Sequence, residues 1–409
     1  MGAPAARVSE LSHHWTQAGH EVTVLTGFPN HPDGVVRPEY REPFRRMVFR
    51  ETVERVKIVR TWLLPFPNRK SYERMLNYSS FCVSAAITGY FLERPDVVIA
   101  TSPQLLVGLS GWWIAKLKQV PFALEVRDLW PESLSAVGVG NSNSLLHRAL
   151  GKIAGFLYRK ANQIVVVTPA FREHLIREWL VPPQKISIVE NGVETQLFSP
   201  SNSDPGLRKS LDDEGKFIVS YIGTLGLAHG LETLVTAAES LQQTAPNVLF
   251  MLLGEGADRE RILAMTNSKH LSNIRFVPQQ QREKIPAYIS ASDACLVLLK
   301  KSSVFETVIP TKMLEFMSCG RPVILAVNGQ AREILERSRS GLYVEPENPA
   351  ALCDAIQKLQ QQELLREALG RNGRKYIVQN LSRQRTATDY LDVLFRLVEG
   401  RTAENTAAA

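Results

Sequence analysis

Short, nearly continuous apolar runs recur along this chain, separated by longer stretches in which apolar residues return every three or four positions. In the first half the runs are 21–26 (EVTVLT), 96–101 (DVVIAT), 122–126 (FALEV) and 163–168 (QIVVVT). In the second half they are 217–222 (FIVSYI), 248–253 (VLFMLL), 274–277, 294–299 and 322–326. Runs that do not alternate with polar residues suit strands buried on both faces of a parallel sheet. The stretches between them, such as 230–242, 258–265 and 349–359, carry helical periodicity. Strand and helix alternating in this way predict an α/β fold with right-handed crossovers.

The pattern restarts after 199–215 (SPSNSDPGLRKSLDDEG), a polar, turn-rich stretch that reads as a linker. A chain of 409 residues is also too long for one ordinary domain. The predicted organisation is a Rossmann-like domain over 1–198, a linker over 199–215 and a second Rossmann-like domain over 216–382. A helix over 383–400 then packs back on the first domain, and a disordered tail covers 401–409. Ligands of such sheets bind outside the carboxyl ends of the strands, so two such domains facing each other across a cleft are expected to hold the site there. The first domain opens on MGAPAARVSELSHHW, a glycine-containing turn that runs directly into a helix. Its first strand is therefore missing, and the functional protein is expected to start upstream.

Residues 75–92 (MLNYSSFCVSAAITGYFL) carry no charge over eighteen positions. That length is at the short end for a membrane span. Asn77, Ser79, Ser80, Ser84 and Thr88 would all be penalised by hydrocarbon, so a buried or interfacial helix is expected. The net charge of +7 is uneven: residues 37–74 hold eleven Lys and Arg against five Glu. Such an excess suits phosphates or a lipid surface, or is simply a solvated basic face. No nucleic-acid-binding motif accompanies it, so no nucleic acid partner is expected. Four scattered cysteines without metal-ligand spacing argue for a reducing compartment and against a structural zinc. With no secretory signal at the start, a cytoplasmic protein is expected.

Three segments carry candidate chemistry. Residues 305–323 (FETVIPTKMLEFMSCGRPV) read as a loop entering a helix, then a strand. A helix N-terminus suits a diphosphate; Lys312 adds a charge, and Glu315, three residues on, shares its face and can accept bonds from a ribose diol. Both are equally compatible with being ordinary first-turn residues. Residues 221–234 (YIGTLGLAHGLETL) read as strand, glycine-rich loop and helix. Gly223, Gly226 and Gly230 permit close approach of a phosphate, or merely make turns; a protonated His229 would add a contact. In 125–133 (EVRDLWPES) a buried strand ends on Arg127 and Asp128, candidates for catalysis or acceptor binding, or a pair that satisfies itself.

In order and nearly over the whole chain, these segments resemble the retaining family 4 glycosyltransferases of the GT-B fold. Asn191, Gly192 and Val193, followed by Phe198, Ser199 and Pro200, look like that family's entry into its second domain. Leu253, Gly254, Glu255 and Gly256, with Arg259 and Glu260, look like its second glycine turn; 341–346, followed by Ala350 and Leu352, looks like its ending. The opening, with FPNHP, IATSPQ and RDLWPES, is similar to the branch building bacterial O-antigen, capsule or colanic acid, which includes N-acetyl-L-fucosamine transferases. In that branch a strand precedes the opening loop.

The resemblance implies a nucleotide-sugar donor site at Gly223, Thr224, Gly226, His229, Gly230, Lys312 and Glu315. It implies catalytic roles at Arg127, Asp128 and Glu306, and acceptor binding at Gly2, Asn30 and His31. Glu315 corresponds to the second glutamate of the family's Glu-x7-Glu element; the first falls on Thr307, with Glu306 one residue off register. The Arg and Lys that grip the diphosphate in that family fall on Thr224 and His229, so Lys312 is the expected replacement cation. No acidic pair suited to a metal is apparent, so no metal and no cofactor beyond the substrate is expected. The function implied is retaining transfer from a UDP-sugar, by front-face attack, to a polyprenyl-diphosphate-linked saccharide at the inner face of the cytoplasmic membrane. A UDP-sugar 2-epimerase of the same fold and a nucleotide-sugar-binding protein without catalysis are the rival expectations.

Overall fold

The structure is a computed structural model that describes residues 3–30, 34–67, 71–132, 145–211 and 215–408. The chain forms two compact units: Pro4–Glu190 with Ala387–Ala409, and Asn191–Thr386 with Met1–Ala3.

In the N-terminal unit, strands β1 (Thr23–Gly27), β2 (Val48–Val53) and β3 (Val56–Thr61) form one sheet in the order β1-β3-β2. Strands β4 (Val98–Thr101), β5 (Phe122–Val126), β6 (Gln163–Val166) and β7 (Ile186–Ile188) form a second, wholly parallel sheet in chain order. The hairpin β2–β3 is absent from the apolar pattern because Arg50, Glu51, Lys57 and Arg60 interrupt it. Val53 pairs with Val56, and Glu54 and Arg55 make the turn at φ +48° and +69°, the left-handed backbone a two-residue hairpin demands. Part of the basic excess in 37–74 is spent here: Arg60 pairs with Glu51 at 2.6 Å, Lys57 with Glu21 at 3.0 Å, and Arg45 with Glu42 at 3.5 Å.

Sequence reasoning expected one sheet lacking its first strand; the described strands of this unit fall into two sheets, ending at β1 and at β4. Both edges lie under common cover. Leu11 and Trp15 of the helix Ala3–Gln17 gather Val22 and Ile99 into one apolar cluster. On the other face the helix Ser71–Tyr90 packs on β1 and β3, the helix Leu105–Lys118 on β4 and β5, and the two helices on each other. β1 and β4 are largely half-buried while β5 is buried throughout. Among the described residues no strand pairs with the second edge of β1 or of β4.

The C-terminal unit holds a six-stranded parallel sheet of β8 (Phe217–Ile222), β9 (Val248–Leu253), β10 (Ile274–Val277), β11 (Ala294–Leu298), β12 (Val323–Ala326) and β13 (Gly341–Tyr343). The order is β10-β9-β8-β11-β12-β13, a doubly wound sheet whose winding reverses between β8 and β11. Alternate residues of each strand feed opposite faces. Ile218, Ile222, Met251, Cys295 and Val297 pack against Met313, Phe316 and Met317 of the helix Thr311–Ser318. Val219, Tyr221, Phe250, Leu252 and Leu296 pack against Leu234, Val235, Ala238 and Leu241 of the helix Glu232–Thr244.

Two boundary expectations are corrected. The described residues of the expected interdomain linker 199–215 lie inside the C-terminal unit, since the passage between units falls at Glu190 and Asn191. The helix Pro205–Ser210 forms there, capped by Asp204, and Arg208 donates to the carbonyls of Ala291 and Lys216 and pairs with Asp293 at 3.0 Å. The tail expected to be disordered instead continues the last helix, Arg383–Ala408, as its alanines and glutamate favour. That helix returns to the N-terminal unit, where Tyr390 stacks on Trp15 at 5.3 Å and Trp15 Nε1 donates to Ala387 O at 3.0 Å.

Candidate functional site

The switch point between β8 and β11 gathers most of the residues expected at the donor site. β8 ends in Ile222, and the chain turns at Gly223 with φ +141°. Gly254, after β9, has φ +143° and lies so close that a Cβ there would sit 2.0 Å from Gly223 O. The two loops therefore pack backbone to backbone, tied by Gly223 N to Leu253 O and Leu225 N to Glu255 O, each at 2.9 Å. Gly254→Ala is expected to lower the stability of this unit by about 1–3 kcal/mol, read in urea unfolding, because it combines strain with a backbone clash.

Lys312 projects from the first turn of the helix Thr311–Ser318 under this loop. A Cβ on Gly223 would lie 3.1 Å from Lys312 Nζ, so glycine leaves the ammonium room against the loop backbone. Nζ donates to Tyr221 Oη at 2.9 Å and lies 4.0 Å from the centre of its ring; Tyr221 Oη in turn donates to Thr224 O at 2.8 Å. Burial pushes the Lys312 ammonium down to about 7, with the Glu315 carboxylate opposing. His229 stands edge-on to Tyr221, and burial followed by the Lys312 charge pushes its imidazole down to about 4. The contact that a protonated His229 would add is therefore disfavoured near pH 7, where the ring is neutral, with Nδ1 3.2 Å from Leu298 O. His229 N also donates to Gly226 O at 3.0 Å.

Glu315 lies one turn along the same helix and pairs with Arg282 at 3.0 Å; both side chains are largely buried. Arg282 also lies 5.0 Å from the ring centre of Phe198. It went unnoticed in the sequence because it is 33 positions away from Glu315. Lys300, also unanticipated, runs along Gly230 and places Nζ 3.6 Å from Glu232. A second cation therefore borders the loop, already facing a carboxylate. Glu306 stands in the turn Phe305–Thr307 leading to this helix, with its side chain exposed.

Arg127 and Asp128 follow β5 in the N-terminal unit. Arg127 N donates to Ser102 Oγ at 2.8 Å. Burial lowers the Arg127 guanidinium, and the chief counter-charge opposing this is Glu125, with Asp128 a lesser one. Arg127 therefore belongs to a charge network with Glu125 as well as with its neighbour Asp128. Glu125 is buried; Arg7 Nε donates to it at 3.0 Å and Thr101 Oγ1 at 2.5 Å. Burial alone would raise its carboxyl, yet Arg7 and then Arg127 hold it below the usual range. Asn30 follows β1 with Nδ2 buried and without a hydrogen-bond partner among the described residues. Gly2 and His31 lie outside the described residues.

Chemically, the C-terminal site offers a glycine-lined loop, a helix N-terminus, a cation that titrates near neutrality and a carboxylate one turn away. Comparison with known proteins gives the family and the fold. Residues 2–192 match the family described as "Glycosyl transferase 4-like domain", and residues 204–376 the family described as "Glycosyl transferases group 1". A protein of Escherichia coli strain K12, provisionally named a colanic acid biosynthesis glycosyl transferase, WcaI, is 25% identical over 92% of this chain and 93% of its own. A GDP-mannose-dependent alpha-mannosyltransferase of Mycobacterium tuberculosis is 26% identical over 89% of this chain and 88% of its own. Among solved structures, sucrose-phosphate synthase from Thermosynechococcus elongatus superposes with a TM-score of 0.77 at 21% identity, over 98% of this chain and 94% of that one. HepE of Anabaena, solved with UDP, gives 0.68 at 14% identity, over 92% of this chain and 99% of that one. The two family matches together span most of the sequence, and the chain belongs to the family 4-like, group 1 glycosyltransferases of the GT-B fold.

Proposed function

We propose that the protein is a retaining transferase that moves a sugar, an N-acetylated hexosamine or deoxyhexosamine, from a UDP-linked donor to a polyprenyl-diphosphate-linked saccharide. The pathway is the building of a bacterial surface polysaccharide, at the inner face of the cytoplasmic membrane. The observation that carries the donor half is the placement of Lys312 Nζ against Gly223, with Glu315 one turn further along the same helix. The diphosphate would take the loop 223–230, the helix N-terminus and the Lys312 ammonium; the ribose would take Glu315, held in place by Arg282. The leaving diphosphate gains charge as the glycosidic bond breaks, so preorganised donors there favour the transition state over the ground state. HepE, with a similar fold, binds UDP and UDP-glucose. WcaI, by its name, belongs to colanic acid biosynthesis.

Thermal stability against UDP, GDP, ADP and NAD tests the donor. A ligand at 100 times its dissociation constant adds about 2.7 kcal/mol to the unit that binds it. UDP alone is expected to stabilise the wild type, and Glu315→Ala to weaken UDP binding by about 10–100-fold through loss of bonds to a charged acceptor. A shift with GDP instead changes the donor base. No shift with any nucleotide overturns the reading.

A further inference from the structure

The helix Ser71–Tyr90 has its polarity inside out. Four of its polar residues face the protein: Asn77 Nδ2 donates to Leu64 O at 2.8 Å, Ser80 Oγ accepts from Leu64 N at 2.9 Å, and Thr88 and Thr61 share a bond of 2.8 Å. Ser84 donates to Trp62 O. Its exposed positions are Tyr72, Leu76, Ser79, Val83, Ile87 and Tyr90, of which only Ser79 is not a large apolar or aromatic residue. At about 100° per residue the five others fall within about 60° of arc, opposite buried Phe81 and Ala85. Val83 and Ile87 are 60% and 59% exposed. A helix facing water would present Asn77, Ser84 and Thr88 outward and bury Val83 and Ile87.

The apolar surface continues beyond this helix. Gly89 touches Ile114 of the neighbouring helix Leu105–Lys118, which exposes Trp113 and Leu117, one turn apart. Phe91 is 73% exposed at the same end. Cations frame that end: Lys118 Nζ donates to Tyr90 O at 3.1 Å, Arg94 Nε to Lys118 O at 2.9 Å, and Lys116 rides over Trp112. The nearby acids are Glu93, which acts on Lys57, and Asp96. Among the described residues no helix is long and apolar enough to cross a membrane.

We propose that this face is a membrane-docking surface. The helix Ser71–Tyr90 lies flat on a bilayer containing anionic phospholipid, its outer stripe and Trp113 entering the headgroup–acyl boundary, with Arg94, Lys116 and Lys118 over the phosphates. Twenty residues make a contact line about 30 Å long. Tyr and Trp suit that boundary because one end of each ring tolerates hydrocarbon and the other water. Each cation near an anionic surface strengthens binding about fivefold. This names the surface behind the membrane contact proposed above, and it stands apart from the donor reading because it uses no residue of the C-terminal unit.

Co-sedimentation of the full chain with vesicles tests it. One set is phosphatidylcholine alone; the other adds phosphatidylglycerol at roughly one third, enough to give a negative surface potential. The wild type is expected to bind the anionic vesicles, and Val83→Ser/Ile87→Ser to bind about tenfold more weakly. Arg94→Gln/Lys116→Gln is expected to reduce the preference for anionic over neutral vesicles. Both variants should keep the wild-type melting curve and UDP response, because the altered side chains are exposed. Equal binding by the serine variant, or no binding by the wild type, overturns the proposal. So does a lipid-free wild-type dimer that the serine variant converts to monomer, which would make the face an interface between copies. A missing UDP response with vesicle binding intact sinks the donor reading alone.

Discussion

Lys312→Met is expected to lower sugar transfer by about 10²–10³-fold, the usual effect of removing one preorganised donor from a developing anion, and to abolish stabilisation by UDP. In the absence of nucleotide it is expected to raise the melting temperature, because methionine occupies a similar volume without a desolvated ammonium. The reason lies in the surroundings of Lys312: Tyr221 supplies one hydroxyl and a ring face, and burial brings the ammonium down to about 7. A diphosphate favours the charged form, so binding takes up a proton wherever Lys312 is neutral in the free protein. UDP affinity should therefore be flat below about pH 7 and fall by up to tenfold per pH unit above it.

The sign for stability follows from the same shift. Between about 7 and the ordinary lysine value of 10.5 the unfolded chain binds more protons at this position than the folded one. This contribution to stability therefore rises with pH across the window, and the burden of the buried charge is greatest below it. Comparing wild type with Lys312→Met at pH 6 and pH 9 isolates this group: the variant's advantage should shrink at the higher pH. UDP affinity independent of pH between 6 and 9, or a variant that keeps its UDP response, would show that Lys312 does not meet the phosphates.

How much of this was legible in the sequence depended on burial. β8 and β9 are nearly continuous apolar runs because both of their faces are covered, so these two strands could be read off position by position, while the three-residue β13 at the sheet edge could not. β2 and β3 are half wet and interrupted by charge, Arg50 and Glu51 in one and Lys57 and Arg60 in the other, so they registered only as a charge imbalance. Glu315 and Lys312 were visible through helix spacing and family resemblance. Arg282, which orients Glu315, could not be found, because strand order rather than sequence proximity brings it there. The neutrality of His229 was equally out of reach, since it comes from burial beside Lys312. The polar residues of the helix Ser71–Tyr90 were read as a bar to hydrocarbon, but all except Ser79 are turned towards the protein; the absence of charge identified the segment, and only packing showed which stripe meets solvent.

Arg7→Leu is expected to destabilise the N-terminal unit by about 3 kcal/mol at neutral pH, the effect of stripping a buried carboxylate of its main partner. Arg7 and Glu125 are 1% and 2% exposed and meet at 2.9 Å. Arg7 also donates to Glu190 O at 3.1 Å and Val189 O at 3.2 Å, tying the helix Ala3–Gln17 to the end of β7. Arg127 remains near Glu125 in the variant and limits the loss. Glu125, now held by less positive charge, should titrate above its wild-type value because burial dominates. Protonation then relieves the buried charge, so the deficit of the variant should shrink as pH falls from 7 towards 5. Calorimetry should show the N-terminal unit melting earlier, with the UDP-dependent transition of the other unit unmoved. Arg7→Leu/Glu125→Leu should recover part of the loss, because neither charge is then left alone in the interior. A deficit that is independent of pH, or a double variant worse than Arg7→Leu alone, would mean that Arg7 matters for its bonds to the two carbonyls and not for Glu125. In that case the carboxylate would rely on Arg127 for its counter-charge.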